Sequence, residues 1–131
     1  MAIEKYILSA TTTGTTGSAT GAATTADVVQ GRVQAVYLVV PTSGTANVTL
    51  ASAGTETENI VSFGTVTASA WRYPRRQVHD SAGNLLYTGG TAAAATTGPV
   101  ADAYVIRDHL TMSVTGATTA ITFTMSVFVE S

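Results

Sequence analysis

The sequence contains no cysteine, which together excludes a disulfide framework, a thiolate metal site and a cysteine nucleophile. Charge is scarce. Asp, Glu, Lys and Arg make up 11% of the 131 residues, against roughly 25% in an average soluble domain. The formal net charge is −2, so general electrostatic attraction to nucleic acid or to an anionic membrane is excluded as the main business of the chain. No stretch reaches the ~18 unbroken apolar residues that a membrane helix needs. The first eight residues, Met1-Ala2-Ile3-Glu4-Lys5-Tyr6-Ile7-Leu8, hold an acid, one lysine and no long apolar region, unlike a signal peptide. The expectation is a protein made in a cytoplasm and either used there or released by lysis. Missing too are a phosphate loop, a Gly-x-Gly-x-x-Gly after a strand, a His-Glu-x-x-His and a Gly-x-Ser-x-Gly. No enzyme is expected, and no cofactor.

Threonine and alanine fill the space that charge leaves, with 25 Thr and 21 Ala. Hydrophobic residues are 45% of the chain, enough for one core, and the length suits one domain over residues 1–131. Leu, Glu, Lys and Gln are few, whereas Thr and Val are strand formers. Ala92-Ala93-Ala94-Ala95 is helix-prone alone, but it lies between Gly89-Gly90 and Gly98-Pro99, too short to nucleate a helix, and reads as loop.

Strand patterning is clearest at the C-terminus. Ile121, Phe123, Met125, Val127 and Val129 alternate with Thr122, Thr124, Ser126, Phe128 and Glu130, the mark of a strand with one buried face. Leu110, Met112 and Val114 alternate before it, across Gly116-Ala117-Thr118-Thr119, and the two runs predict a β-hairpin. A second hairpin is predicted from Arg32–Val39 and Asn47–Leu50 around Pro41-Thr42-Ser43-Gly44. Ile60–Ser69 reads as a strand in which Gly64 marks a bulge or close packing. Short runs at Ile3–Leu8, Arg76–His79, Leu85–Tyr87 and Ala103–Ile106 bring the total to eight or nine strands. Without helices, the pattern predicts an all-β antiparallel sandwich or jelly-roll-like barrel. Ser9 to Ala26 has no apolar residue larger than Ala, so it is expected to be a flexible arm or extended loop, either a linker or a segment that orders on a partner.

Two histidines each adjoin an aspartate, at His79-Asp80 and Asp108-His109. A metal site or a general base could be built from such groups. Adjacent residues on a strand point to opposite faces, however, which favours plain hydrogen-bonding roles in loops. The most distinctive segment is Trp71-Arg72-Tyr73-Pro74-Arg75-Arg76-Gln77, which holds three of the five Arg residues and the single Trp. Trp, Tyr and Arg are enriched at interface hot spots, so Trp71, Arg72, Tyr73, Arg75 and Arg76 are the candidate protein-interface residues. The competing reading is a structural corner, with Trp71 and Tyr73 in the core end and the arginines solvated. A phosphate grip is the weaker third reading.

Tyr73–Gly83, followed by Pro99–Leu110 and a terminal segment ending Phe128-Val129-Glu130, resembles small virion proteins of tailed bacteriophages. The resemblance covers about the last 60 residues and is one of sequence style, without a diagnostic motif. It implies a capsid decoration, or cement, protein on the capsid surface of the virion. Such proteins are often trimers at local three-fold positions that clamp neighbouring subunits of the major capsid protein, and they carry no catalytic residues. A phage tail or head–tail connector component is the nearest alternative. A carbohydrate-binding or adhesin β module is the alternative from another class, with Trp71 and Tyr73 as its aromatics.

Overall fold

The computed structural model describes residues 2–41, 44–54, 58–77, 81–83 and 101–131. Among them there is no helix; eleven strands run β1 (Ile3–Thr11), β2 (Ala19–Thr24), β3 (Val29–Val39), β4 (Ala46–Ser52), β5 (Asn59–Val66), β6 (Ala70–Arg72), β7 (Arg76–Gln77), β8 (Ala101–Asp102), β9 (Tyr104–Asp108), β10 (Leu110–Ala117) and β11 (Thr122–Glu130). A five-stranded sheet has the order β1-β11-β3-β6, with β9 also paired to β3, and a four-stranded sheet has the order β2-β10-β4-β5. All pairings are antiparallel. The two sheets share one buried hydrophobic cluster, so the fold is an all-β sandwich. β7 and β8 form a separate two-stranded ribbon. The Ala92–Ala95 run and Leu85–Tyr87 lie outside the described residues.

Period-2 patterning builds the interior. Phe123, Met125, Val127 and Val129 of β11 are buried, and so are Leu110, Met112 and Val114 of β10 and Val48 and Leu50 of β4. Each large apolar side chain buried in this way contributes on the order of 1.5–3 kcal/mol. Thr and Ser occupy the alternate positions and pair across strands. Thr11 and Thr122 hydroxyls lie 2.8 Å apart, and Thr24 and Thr111 hydroxyls 2.9 Å apart. Abundant threonine thus serves both as strand former and as a cross-strand hydrogen-bonding group on the wet faces.

Two of the expected hairpins are absent. β10 pairs with β2 and β4, while β11 pairs with β1 and β3. β3 likewise lies in the five-stranded sheet and β4 in the four-stranded one. These consecutive strands arch over the core instead of pairing; among the described residues, consecutive strands pair only at β4–β5 and in the β7–β8 ribbon. The physical reason is that alternation reports which face of a strand is buried, not which neighbour it bonds; two strands facing each other across a sandwich alternate as a hairpin does. At the β10–β11 crossing, Gly116 (φ 64°) and Ala120 (φ 58°) take left-handed backbone that turns the chain from one layer to the other.

The segment Ser9 to Ala26, expected to be a flexible arm or extended loop, is largely strand. Residues 9–11 complete β1, residues 19–24 form β2, and Thr13 and Thr20 bridge the turn between them. Ala10, Thr12 and Ala19 are buried. Small side chains do not prevent ordering here, because existing strands supply the partners: β11 on one side and β10 on the other. Thr12 fastens the crossing. Its backbone N–H donates to Ile121 O at 2.9 Å, its carbonyl accepts from Ala120 N–H at 3.0 Å, and its Oγ1 donates to Thr118 O at 2.5 Å while accepting from Ile121 N–H at 3.2 Å.

The expected irregularity at Gly64 is present. Register shifts in the β4–β5 pairing leave Phe63 between Ser62 and Gly64 without a pairing partner, and Gly64 has φ 66°. A second irregularity shapes β3. Phe128 pairs with Ala35 but Val129 pairs with Val33, so Gln34 is the extra residue of a bulge and the inward parity of β3 switches there. Val33, Val36 and Leu38 all point into the core, and Tyr37 and Val39 are left outside.

Candidate interaction surface

The outward side of the five-stranded sheet is where exposed apolar surface collects. Ile3, Ile7, Val39, Trp71, Tyr73 and Val105 are large hydrophobics left exposed, and strand parity puts them all on this face. The register arranges them in rows across the strands. Ile7, Ser126, Tyr37 and Trp71 make one row. Lys5, Phe128 and Ala35 make the next and run toward Tyr73, two residues on from Trp71. Ile3, Glu130, Arg32 and Val105 make the third.

Aromatic rings form the middle of the patch. Trp71 lies 4.7 Å from Tyr37, 5.6 Å from Phe128 and 6.3 Å from Tyr73 between ring centroids, the last pair only 8° from parallel. Such spacings are those of favourable aromatic pairs, each worth about 0.5–1.5 kcal/mol beyond area burial. The rings therefore brace one another while Trp71 stays 47% and Tyr73 62% exposed. A rigid aromatic surface of this kind loses little side-chain entropy when a partner covers it. At its lower end the sheet turns polar, with Ser9, Thr11, Thr122 and Thr124 in hydroxyl contact.

The structure divides the five candidate residues. Trp71 and Tyr73 share the outer face. Arg72, between them, turns to the other side, and its guanidinium carbon stands 5.1 Å from the Phe63 ring centroid, closing the end of the sandwich between β6 and β5 by a cation–π contact. Arg75 fills the gap that β6 and β9 leave along β3: it donates to Pro74 O at 2.7 Å and reaches Gln34 O at 3.4 Å. Arg76 is exposed and pairs through its backbone with Asp102 in the ribbon. The arginines accordingly do not make one cationic patch. Arg32, which the sequence did not single out, forms an exposed ion pair with Asp102 at 3.7 Å, worth at most ~1 kcal/mol. Tyr37 and Phe128 were also missed, although Phe128 stands out as an aromatic on the polar phase of its strand.

Asp108-His109 forms the corner between β9 and β10. His109 Nδ1–H donates to Thr25 O at 2.9 Å, and Asp108 Oδ1 accepts from His109 N–H at 2.7 Å. This is a loop hydrogen-bonding role, with no convergence of the two side chains on a common ligand. His79-Asp80 lies outside the described residues. Among the described residues no group of three or more His, Asp or Glu is placed to hold a metal ion. No protein-family model matches the chain, and no curated protein or solved structure matches it either.

Proposed function

We propose that this chain is a structural virion protein that binds the outer capsid shell of a tailed phage and stabilises contacts between major capsid protein subunits. The observation that supports the reading is the aromatic outer face of the five-stranded sheet, centred on Trp71. Exposed apolar residues scattered singly need no explanation, but a contiguous patch braced by stacked rings does. Its mechanism is geometric. Covering Trp71, Tyr73 and Ile7 at a junction of shell subunits adds interface that must be broken before the shell expands or bursts. The low charge of the chain suits contact through apolar area and hydroxyl groups more than through ion pairs.

Co-sedimentation with purified shells tests this. Wild-type chain should pellet with the shells, and Trp71→Ala/Tyr73→Ala should lose at least tenfold in affinity, as hot-spot aromatics do, with an unchanged circular dichroism spectrum. Pelleting with isolated tails but not with shells would move the protein to the tail or connector. A carbohydrate-binding role is the second reading, favoured by the near-parallel rings of Trp71 and Tyr73, which offer flat apolar faces to a sugar ring. Binding to a glycan array that Trp71→Ala abolishes, without binding to shells, would establish that reading instead.

A further inference from the structure

The sheet edges of this sandwich are not alike. β6 and β9 are three and five residues long and leave a gap on β3 that Arg75 fills. β5 is bent by two register shifts and by Gly64. β2 is a six-residue strand of Ala, Gly and Thr with a register shift against β10. Short, bulged and interrupted edges are the usual defences against pairing with another chain. β1 has none of these and carries only a single lysine, Lys5, as a guard. It is nine residues long, pairs with β11 without a register shift, and has no proline or glycine.

The hydrogen bonds at its two ends show which backbone groups face away from β11. Ser131 N–H donates to Ala2 O, and Thr12 N–H donates to Ile121 O. Both fall in the register that pairs Ile3 with Glu130 and Thr11 with Thr122. In an antiparallel ladder the hydrogen-bonded pairs alternate. The even residues of β1 therefore bond to β11, and Ile3, Lys5, Ile7 and Ser9 aim their N–H and C=O groups at an edge on which, among the described residues, no strand pairs; at Thr11 the edge is closed by Gly21 of β2. These same residues carry the outward side chains, with Ile3 63% and Ile7 60% exposed.

We propose that β1 is a self-association edge, on which β1 of a second copy adds antiparallel across a two-fold axis at Ile7. Centring on Ile7 is what the strand itself selects. It sets the exposed Ile7 against its own copy and Lys5 against Ser9 on either side, whereas centring on Tyr6 would set Lys5 against Ile7 twice. No like charges stand opposite each other, whereas centring on Lys5 would oppose two lysines. The three central pairs make about six hydrogen bonds. β2, the edge of the other sheet on the same side, closes on β1 only at the C-terminal end of β1, where Gly21 stands against the Thr11 carbonyl and Thr13 bridges Thr20, so the second copy pairs along Lys5–Ser9. The two five-stranded sheets become one continuous sheet, and both aromatic faces lie on the same side of it. The pairing is two-fold and isologous, unlike the three-fold arrangement that the resemblance implied. It does not depend on what the aromatic face binds.

Analytical ultracentrifugation of the full chain from about 1 to about 300 µM reads the association directly. The wild type should be a dimer in the upper part of that range. Ile7→Lys opposes two charges at the axis and should shift the dimer to monomer by at least tenfold in concentration. Ile7→Pro removes an N–H that β11 does not use and should do the same; circular dichroism and the melting temperature keep either variant interpretable. Trp71→Ala should still dimerise. The register is read by single cysteines in this cysteine-free chain. Oxidised Ile7→Cys should give a covalent dimer in high yield, because residues opposite each other in a hydrogen-bonded pair have Cα atoms about 5.5 Å apart. Ile3→Cys should not, since its symmetry mate lies about 27 Å along the strand. A wild type monomeric throughout, a dimer indifferent to Ile7→Lys, a dimer lost in Trp71→Ala, or equal crosslinking at both positions would overturn the proposal.

Discussion

Replacing Thr12 by valine keeps the shape of the side chain and removes only the hydroxyl that fastens the β1–β2 crossing to the β10–β11 crossing. Thr12 is 1% exposed. Its loss leaves Thr118 O without its donor at 2.5 Å and Ile121 N–H without its acceptor at 3.2 Å. Ile121 N–H has no substitute in the strand ladder, because the Thr12 carbonyl is taken by Ala120 N–H. Leaving partly buried polar groups unpaired costs about 1–3 kcal/mol. With an unfolding entropy of about 2.1 cal/mol/K per residue, a chain of 131 residues should lose about 4–11 °C in melting temperature. Thr12→Ser keeps the hydroxyl and gives up one methyl, at about 0.8 kcal/mol, so it should fall by about 3 °C. Differential scanning calorimetry of the three proteins gives the order wild type, serine, valine. A valine variant as stable as wild type, or more stable than the serine variant, would refute the latch.

Other perturbations probe separate parts of the structure. Phe123→Ala empties a fully buried position and should destabilise by roughly 3–5 kcal/mol in urea unfolding. Gly31→Ala places a Cβ against the Glu130 carbonyl at φ +139°, and should cost roughly 2–4 kcal/mol by the same measurement. Arg75→Ala with Arg76→Ala removes only exposed side chains and should change stability by about 1 kcal/mol or less; unfolding of this pair would show that plugging β3 at Gln34 is essential. In limited proteolysis, bonds within residues 9–12 and 19–24 should resist cleavage in the free protein, since both stretches are paired strands, and rapid cutting there would restore the flexible-arm reading.

How much of this was legible in the sequence depended on what each signal reports. β11 was readable residue by residue, because Phe123 through Val129 keep one phase against Thr122 through Glu130. The same signal could not tell that β10 lies in the opposite sheet, since both strands bury their odd or even set toward one shared core. The Ser9–Ala26 stretch looked unstructured because burial was judged from side-chain size. Its order comes from backbone pairing to β11 and β10, contributed by residues a hundred positions away. The aromatic surface was half visible. Trp71 and Tyr73 were recognised by type, but the arginines beside them were grouped by sequence proximity, and the strand's alternation sends Arg72 to the other face. Tyr37 could not be assigned an outward position without the bulge at Gln34, which reverses the phase of β3.

The central claim is that the outer face of the five-stranded sheet holds the chain on a phage shell, and an electron cryomicroscopy map of shells saturated with the protein tests it most directly. The account predicts density for the sandwich on the outer surface, with β11, β3 and β6 nearest the shell and the Trp71, Tyr73 and Phe128 side chains in contact with major capsid protein. Undecorated shells at saturating protein, or bound sandwiches whose Trp71 face points to solvent, would contradict it.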